Sequence, residues 1–276
     1  MIIERKKKSP ERIYRYPEDT VSRISSAPVL VETDGLIYCD DAINIMRDIP
    51  EGSVDLIMTD PPYGISYQSS ARGFNSDAQQ TCDNRLKTTT RIAGDTPLRA
   101  SFLFDLMILE AERLLKPGGC ICSFAAGGGP GILFTHWIQS LSRVLQFKQT
   151  LIWDRCRIGL GGHYRQCYEF ILVAKKPGAA CKWNGDHKTG NIFCYKRPVK
   201  MLELHPTPKP VELLRHLISL HTNPGDLVLD PFCGQGSTLI AARQLGRRFL
   251  GIDIVSQYCD TATFQIEMAR TTLKKA

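Results

Sequence analysis

The sequence predicts an α/β domain built on a mainly parallel sheet with helices on both faces, and three observations predict it. From residue 36 onward, short apolar runs alternate with longer amphipathic stretches. The short runs are apolar throughout and lack alternation, as strands covered on both faces are. Glycine and proline clusters separate the two kinds of segment, as expected where strands and helices succeed each other. The 276 residues, 43% of them apolar, suffice for one such domain with a buried core.

In chain order, the apolar runs 36–39, 54–58, 120–124, 150–153, 169–174, 227–229 and 249–252 read as seven buried strands. Helical periodicity marks 98–115, stopped by Lys116-Pro117-Gly118-Gly119, and then 131–145, 211–220, 237–245 and 255–268. Residues 1–30 carry Lys6, Lys7, Lys8 and three prolines with few apolar residues, and read as a flexible basic arm ahead of a domain spanning 31–276. Two stretches break the rhythm. Residues 65–97 are polar and aperiodic, and residues 177–205 interleave Trp183, Phe193 and Tyr195 with Lys182, Lys188, Lys196 and Arg197. Irregular segments of that length in a compact domain are functional or disordered.

Net charge is +7, from 35 Lys and Arg against 28 Asp and Glu. Twelve of those cations and only four of the acids lie between Arg143 and His205, so the remainder of the chain is nearly neutral. A basic tract of this kind suits a phosphate backbone, and equally a solvated surface with no partner. Ten cysteines occur without the paired Cys-x-x-Cys spacing of a zinc site. Reduced, buried thiols and a cytoplasmic location are expected. Neither a long apolar span nor an apolar leader is present, so a membrane partner is not expected.

Two motifs carry chemistry. Thr59-Asp60-Pro61-Pro62-Tyr63-Gly64 directly follows a predicted strand, where ligands bind in parallel sheets. Two prolines stiffen the loop and remove two amide donors, leaving the Asp60 carboxylate and neighbouring carbonyls as acceptors beside the Tyr63 ring. That combination suits a flat ring bearing an amino group. A plain strand-ending turn would need none of the three together. The second motif, Asp230-Pro231-Phe232-Cys233-Gly234-Gln235-Gly236-Ser237-Thr238, joins a strand to a helix start. Its glycines let backbone approach a ligand at a helix amino terminus. Asp253 ends the next strand, where an acid commonly takes ribose hydroxyls. Leu239 stands where a dinucleotide-binding turn carries its third glycine.

The ordered pair Asp60-Pro61-Pro62-Tyr63 and Asp230-Pro231-Phe232-x-Gly-x-Gly resembles the β-class amino-group DNA methyltransferases, in which the catalytic motif precedes the cofactor motif. The approach strand Val54-Asp55-Leu56-Ile57, the placement of Asp41, Leu115-Lys116-Pro117-Gly118-Gly119, Trp153, Tyr168-Glu169 and His205-Pro206-Thr207-Pro208-Lys209-Pro210 extend the resemblance over roughly residues 36 to 265. It implies a Rossmann-like methyltransferase fold with a seven-stranded sheet and S-adenosyl-L-methionine as cofactor. It also implies catalysis by Asp60, Pro61, Pro62 and Tyr63. The implied cofactor pocket comprises Asp41, Thr207, Lys209, Asp230, Phe232, Gly234, Gly236, Ser237, Thr238 and Asp253. Lys209 would pair with the methionyl carboxylate, and His205 would either touch the cofactor or pack at a helix entry.

A sulfonium methyl group is already electrophilic, so no covalent protein intermediate is expected and Cys233 is read as a bystander. Acceptors on the amine would favour a pyramidal nitrogen as positive charge develops. The expected substrate is adenine N6 in double-stranded DNA with the base flipped onto Tyr63 and phosphates held by Lys182, Lys188, Lys196 and Arg197. Cytosine N4 is the nearest alternative; Asp rather than Ser at position 60 favours adenine by family tendency. An RNA or protein-glutamine methyltransferase, a non-catalytic DNA-binding regulator and a nicotinamide oxidoreductase are further alternatives. The recognition sequence, self-association into a homodimer and a restriction nuclease partner are left open by the sequence.

Overall fold

The computed structural model describes residues 26–31, 34–63, 97–125, 131–159, 163–196 and 208–273. The first 25 residues and most of the polar stretch 65–97 lie outside the described residues, as do Arg197, His205 and Thr207.

Nine strands form one sheet. They are β1 (Leu30–Val31), β2 (Gly35–Cys39), β3 (Val54–Thr59), β4 (Leu115–Ala125), β5 (Gln146–Asp154), β6 (Tyr168–Lys175), β7 (Ile192–Cys194), β8 (Leu227–Asp230) and β9 (Arg248–Asp253), in the order β1-β2-β9-β8-β3-β4-β6-β5-β7. All seven expected strands are present, and the short edge strands β1 and β7 are additional. Strands β2, β9, β8, β3 and β4 are mutually parallel, whereas β6 runs antiparallel to both β4 and β5. Leu30 and Val31, at the end of the predicted arm, pair with Ile37 and Leu36. Strand β7 brings part of the irregular tract 177–205 into the sheet, parallel to β5.

The helices are α1 (Ala42–Asp48), α2 (Pro97–Leu114), α3 (Gly131–Val144), α4 (Val211–His221), α5 (Ser237–Gln244) and α6 (Ser256–Leu273). Five match the expected periodic segments. Helix α1 is the addition: Asp41 caps it by accepting from the Ile43 and Asn44 amides, and its Ala42, Ile43, Ile45 and Met46 are buried. Helix α2 runs straight into β4 at Leu115, so the Lys116-Pro117-Gly118-Gly119 segment lies within the strand and not in a free turn. Gly118 there takes φ +80°, a left-handed conformation open to glycine.

Alternate residues of each strand face two cores. One core packs Leu36, Tyr38, Ile57, Ile121, Leu229 and Ile252 against α1, α2 and α3, and the other packs Ile37, Leu56, Met58, Cys122, Val228 and Phe249 against α4, α5 and α6. Trp137 of α3 stacks on Phe104 of α2 with centroids 4.3 Å apart, pinning the two helices together. No helix among the described residues is long and apolar enough to cross a membrane.

The cysteines depart from expectation. Cys120 of β4 and Cys181, just beyond β6, are joined as a disulfide, while Cys39, Cys122, Cys156, Cys167, Cys194, Cys233 and Cys259 are free. Their separation of 61 residues gave no local signal.

The amino-terminal edge of the sheet is tied by one carboxylate. Asp55, 3% exposed, accepts from Lys116 Nζ at 2.7 Å, Lys182 Nζ at 3.0 Å and the Leu227 amide at 3.0 Å, joining β3, β4 and β8. Burial is the largest influence on Asp55 and pushes its pKa up, but the bonds from Lys116, Leu227 and Lys182 outweigh it and hold the pKa below the ordinary 3.8. This lowered pKa stabilises the fold above pH 3.8, and that contribution is lost as pH falls through the folded value. Asp55→Asn should therefore lower stability by about 1–3 kcal/mol near neutral pH. In urea titrations, the gap to wild type should close as the buffer becomes more acidic than 3.8.

Candidate active site

Four parallel strands deliver the predicted functional residues to one edge. In sheet order, Asp41 follows β2, Asp253 ends β9, Asp230 ends β8 and Asp60 follows β3. Neighbouring strands lie about 4.8 Å apart, so this row spans roughly 14 Å, the scale of an extended nucleoside-bearing ligand laid across the strand ends.

Asp253 is the anchor of the glycine loop. Its carboxylate accepts from the Gly234 amide at 2.9 Å and the Val255 amide at 2.9 Å, and burial raises its pKa. Gly236 caps α5 with φ +84° and with no side-chain cap, so the first amides of the helix open onto the loop. An added Cβ at Gly236 would lie 2.9 Å from the Ala262 Cβ of α6. Both the left-handed backbone and the close helix therefore require glycine here. Ser237 and the buried Thr238 form the first turn of α5, and Phe232 is partly buried against the α2–α3 face. Cys233 is buried, and desolvation drives its pKa well above 9.0, so it stays a neutral thiol.

The Asp60-Pro61-Pro62-Tyr63 loop is fixed through both carboxylate oxygens. The Tyr63 hydroxyl donates to Asp60 Oδ1 and Lys209 Nζ donates to Asp60 Oδ2. Pro61 is buried, and the Tyr63 ring lies 6.0 Å from Trp137, tying the loop to the pinned α2–α3 pair.

Lys209, immediately ahead of α4, is 8% exposed and lies 3.3 Å from Glu169 Oε2 as well as against Asp60. Its ammonium also stands 5.0 Å from the Phe124 ring centroid and 5.7 Å from that of Tyr63. Burial alone would push the Lys209 pKa down, but Asp60 and Glu169 together raise it, so the ammonium stays charged. Glu169 in turn lies 3.6 Å from Arg155. The expected partner of Lys209 was a ligand carboxylate; its partners within the protein are Asp60 and Glu169. Glu169 belongs to the Tyr168-Glu169 pair that extended the resemblance in the sequence, where it carried no role in the site. An acid opening an otherwise apolar strand was the available signal.

The basic residues divide between the two edges of the sheet. Lys182 pairs with Asp55 and, at 2.6 Å, with Asp226 at the amino-terminal edge. Lys188 lies in the turn before β7, its amide bonded to Asp186. Lys196 follows the carboxyl end of β7 and is exposed. Because β7 runs parallel to β5 and β5 runs in the sense of β3, Lys196 emerges at the same edge as Asp60.

With this geometry in place, the family is clear. The chain belongs to the DNA methylase family of N6/N4 amino-group methyltransferases, whose pattern it matches over residues 54–264. It is 29% identical over 262 residues to the DNA adenine methyltransferase YhdJ of Escherichia coli, covering 83% of this chain and 81% of that protein. The crystal structure of the M1.HpyAVI–SAM complex superposes with a TM-score of 0.61 at 26% identity, covering 84% of this chain and 99% of the other. The cytosine-N4-specific PvuII DNA methyltransferase shares the fold, with a TM-score of 0.68 at 16% identity over 88% of this chain and 89% of that one.

Asp230 offers a test of this site. It is 3% exposed and accepts from the Phe232 amide at 3.1 Å. Burial is the largest influence on it and lifts its pKa from 3.8 to about 7, against the bonds from Thr238, Phe232 and Thr59. A carboxyl that holds its proton more tightly when folded loses stabilisation as pH rises from 3.8 to about 7. Asp230→Asn removes that titration. Its stability relative to wild type should therefore rise by on the order of 3 kcal/mol between pH 4 and pH 8, measured by chemical denaturation.

Proposed function

We propose that this protein transfers the methyl group of S-adenosyl-L-methionine to the exocyclic N6 of adenine in double-stranded DNA, on a base flipped out of the helix. The observation that carries this reading is the rigid Asp60 carboxylate, held by Tyr63 and Lys209 at the end of β3, one strand from the Asp230–Gly236 loop. The site suits the cofactor. Asp253 and Asp41 are carboxylates at neighbouring strand ends, and the uncapped start of α5 supplies backbone donors beside them. Thr207, outside the described residues, belongs to the same segment as Lys209.

Bound S-adenosyl-L-methionine supplies an electrophilic sulfonium methyl group. The protein's task is to make the amine a better acceptor for it. Each Asp60 oxygen keeps a second lone pair after bonding Tyr63 or Lys209, so it can still accept an amine N–H. The Pro61 carbonyl offers another acceptor on a loop that two prolines keep from shifting. Acceptors already in place stabilise positive charge as it develops on the nitrogen, without reorganisation at that moment. Glu169 shares the charge of Lys209, so Asp60 retains a negative field towards the substrate. The nitrogen finally gives up one proton, for which Asp60 is the hydrogen-bonded base. Tyr63 presents its ring beside the carboxylate as the stacking surface for the base.

Lys196 serves as a phosphate contact, because it leaves the sheet at the Asp60 edge, and Arg197 is its neighbour in the sequence. Lys182 already has two carboxylate partners at the opposite edge, and Lys188 precedes β7. The YhdJ likeness and Asp at position 60 favour adenine over cytosine.

Incubating unmethylated DNA with the protein and S-adenosyl-L-methionine, followed by nucleoside mass spectrometry, should yield N6-methyladenine. Asp60→Ala should lower the yield by about 100-fold or more. N4-methylcytosine instead would overturn the choice of base, and an unchanged rate in Asp60→Ala would overturn the role of the carboxylate. Lys196→Ala should weaken DNA binding and reduce the salt dependence by about one released counterion, with cofactor affinity unchanged. A larger loss from Lys188→Ala than from Lys196→Ala in the same titration would reverse the assignment of edges.

A further inference from the structure

We propose that Cys120, Cys181 and His221 form a Cys2His zinc site in the reduced protein. The two Sγ atoms and the His221 Nδ1 all lie within 4.8 Å of one another. They come from three separate parts of the chain: β4, the segment after β6, and the end of α4. Cys120 is 1% exposed and His221 is 6% exposed, so two of the three donors are inside the protein. Cys181 Sγ stands 3.9 Å from His221 Nδ1. Tetrahedral zinc with Zn–S near 2.3 Å and Zn–N near 2.0 Å places two sulfurs about 3.8 Å apart and a sulfur and nitrogen about 3.6 Å apart. The Cys181 Sγ–His221 Nδ1 separation is close to the second of these distances, and the two sulfurs, joined to each other in this structure, would part on reduction to reach the first.

A disulfide accounts for the two sulfurs but not for the imidazole. His221 also hydrogen-bonds the backbone carbonyl of Lys182, and the Trp183 ring covers it at 5.6 Å. The Cα atoms of Cys120 and Cys181 are 6.9 Å apart, at the wide limit for a disulfide and comfortable for two ligands of one ion. Thiolates and a neutral imidazole are the donor set that zinc prefers among abundant divalent ions.

The chemistry balances simply. A thiol reductant supplies two electrons and two protons to the S–S bond, giving two thiols and the oxidised reductant. The metal ion then displaces the two thiol protons and binds two thiolates and Nδ1. Three protein ligands leave the fourth position to water. Cys120 pairs with Leu56, four residues short of Asp60, which puts the site about 13 Å from the catalytic carboxylate along β3. At that distance the ion would not touch the reacting atoms. It would clamp the segment that carries Trp183 and Asn184 onto the end of α4, where Asn184 already donates to the carbonyls of Ser219 and Thr222.

The test uses the full chain, reduced with a phosphine under argon and titrated with Co2+ as the probe. One equivalent should produce a thiolate-to-cobalt charge-transfer band and the visible bands of a tetrahedral ion, and Zn2+ should bleach both. Cys181→Ser and His221→Asn should each weaken Co2+ binding by about tenfold or more. Cys156→Ser, which changes an exposed thiol elsewhere, should leave it unchanged. Circular dichroism of the half-buried Cys181→Ser variant separates lost ligation from lost folding. Reduced wild type showing no tetrahedral spectrum at stoichiometric Co2+, or a spectrum that survives in a folded Cys181→Ser variant, would overturn the proposal.

Discussion

The edge of the sheet that carries Asp60 is organised around the buried ammonium of Lys209. Lys209 sits almost out of solvent with Asp60 on one side and Glu169 on the other, and Glu169 reaches Arg155 beyond. Three chain segments far apart in sequence meet at that ammonium: the loop after β3, the start of β6 and the entry to α4. An unpaired ammonium at this depth would be prohibitively costly, and without it the two neighbouring acids would lose their shared counter-charge. The charges therefore hold one another in place, and the geometry of Asp60 follows from theirs. Tyr63 adds the second restraint, because its hydroxyl holds the remaining carboxylate oxygen while its ring touches the Trp137–Phe104 stack.

Two acids in the site have opposite electrostatic surroundings to the one at the far edge. Asp55 meets two lysines and an amide, and its charge is stabilised. Asp230 has threonine hydroxyls and one amide as donors and Asp253 has backbone amides, and in both burial outweighs these and favours the protonated form relative to ordinary aspartates. The sheet thus carries a cation-rich, structural lower edge and an acid-rich upper edge facing the cofactor loop. A positively charged sulfonium ligand is at home in the second of these and not in the first.

Much of this was legible in the sequence, and the reasons differ by element. The seven core strands were visible because burial on both faces leaves unbroken apolar runs, as in Val54–Thr59 and Leu227–Asp230. Motif order and the paired prolines after β3 marked the strand end to which the sheet brings Asp60, beside Asp230 and its glycine loop. Helix α1 escaped notice because it is only seven residues long and its signal, the Asp41 cap, was read as a ligand contact. Strands β1 and β7 escaped because two or three residues cannot show a period. The contacts of Glu169 with Lys209 and Arg155 and the pairing of Cys120 with Cys181 are products of long-range packing, which no local pattern records.

The sheet order has a consequence for how the chain reaches its folded state. Strand β3 lies between β4 and β8, and its register with β8 joins Leu56 to Val228 across 172 positions. During synthesis the Asp60–Tyr63 loop and its apolar strand emerge early, yet one side of that strand has no partner until the last quarter of the polypeptide appears. An exposed apolar strand edge is a template for mispairing with other chains. Non-local pairing of this kind is also slow to form, because loop closure must precede the contacts that reward it. Asp55 sits at the start of that waiting strand with Lys116, supplied by the neighbouring β4, as an early partner. A charged pair at the foot of an unpaired edge discourages a second chain from docking there before the Leu227 amide arrives to complete it.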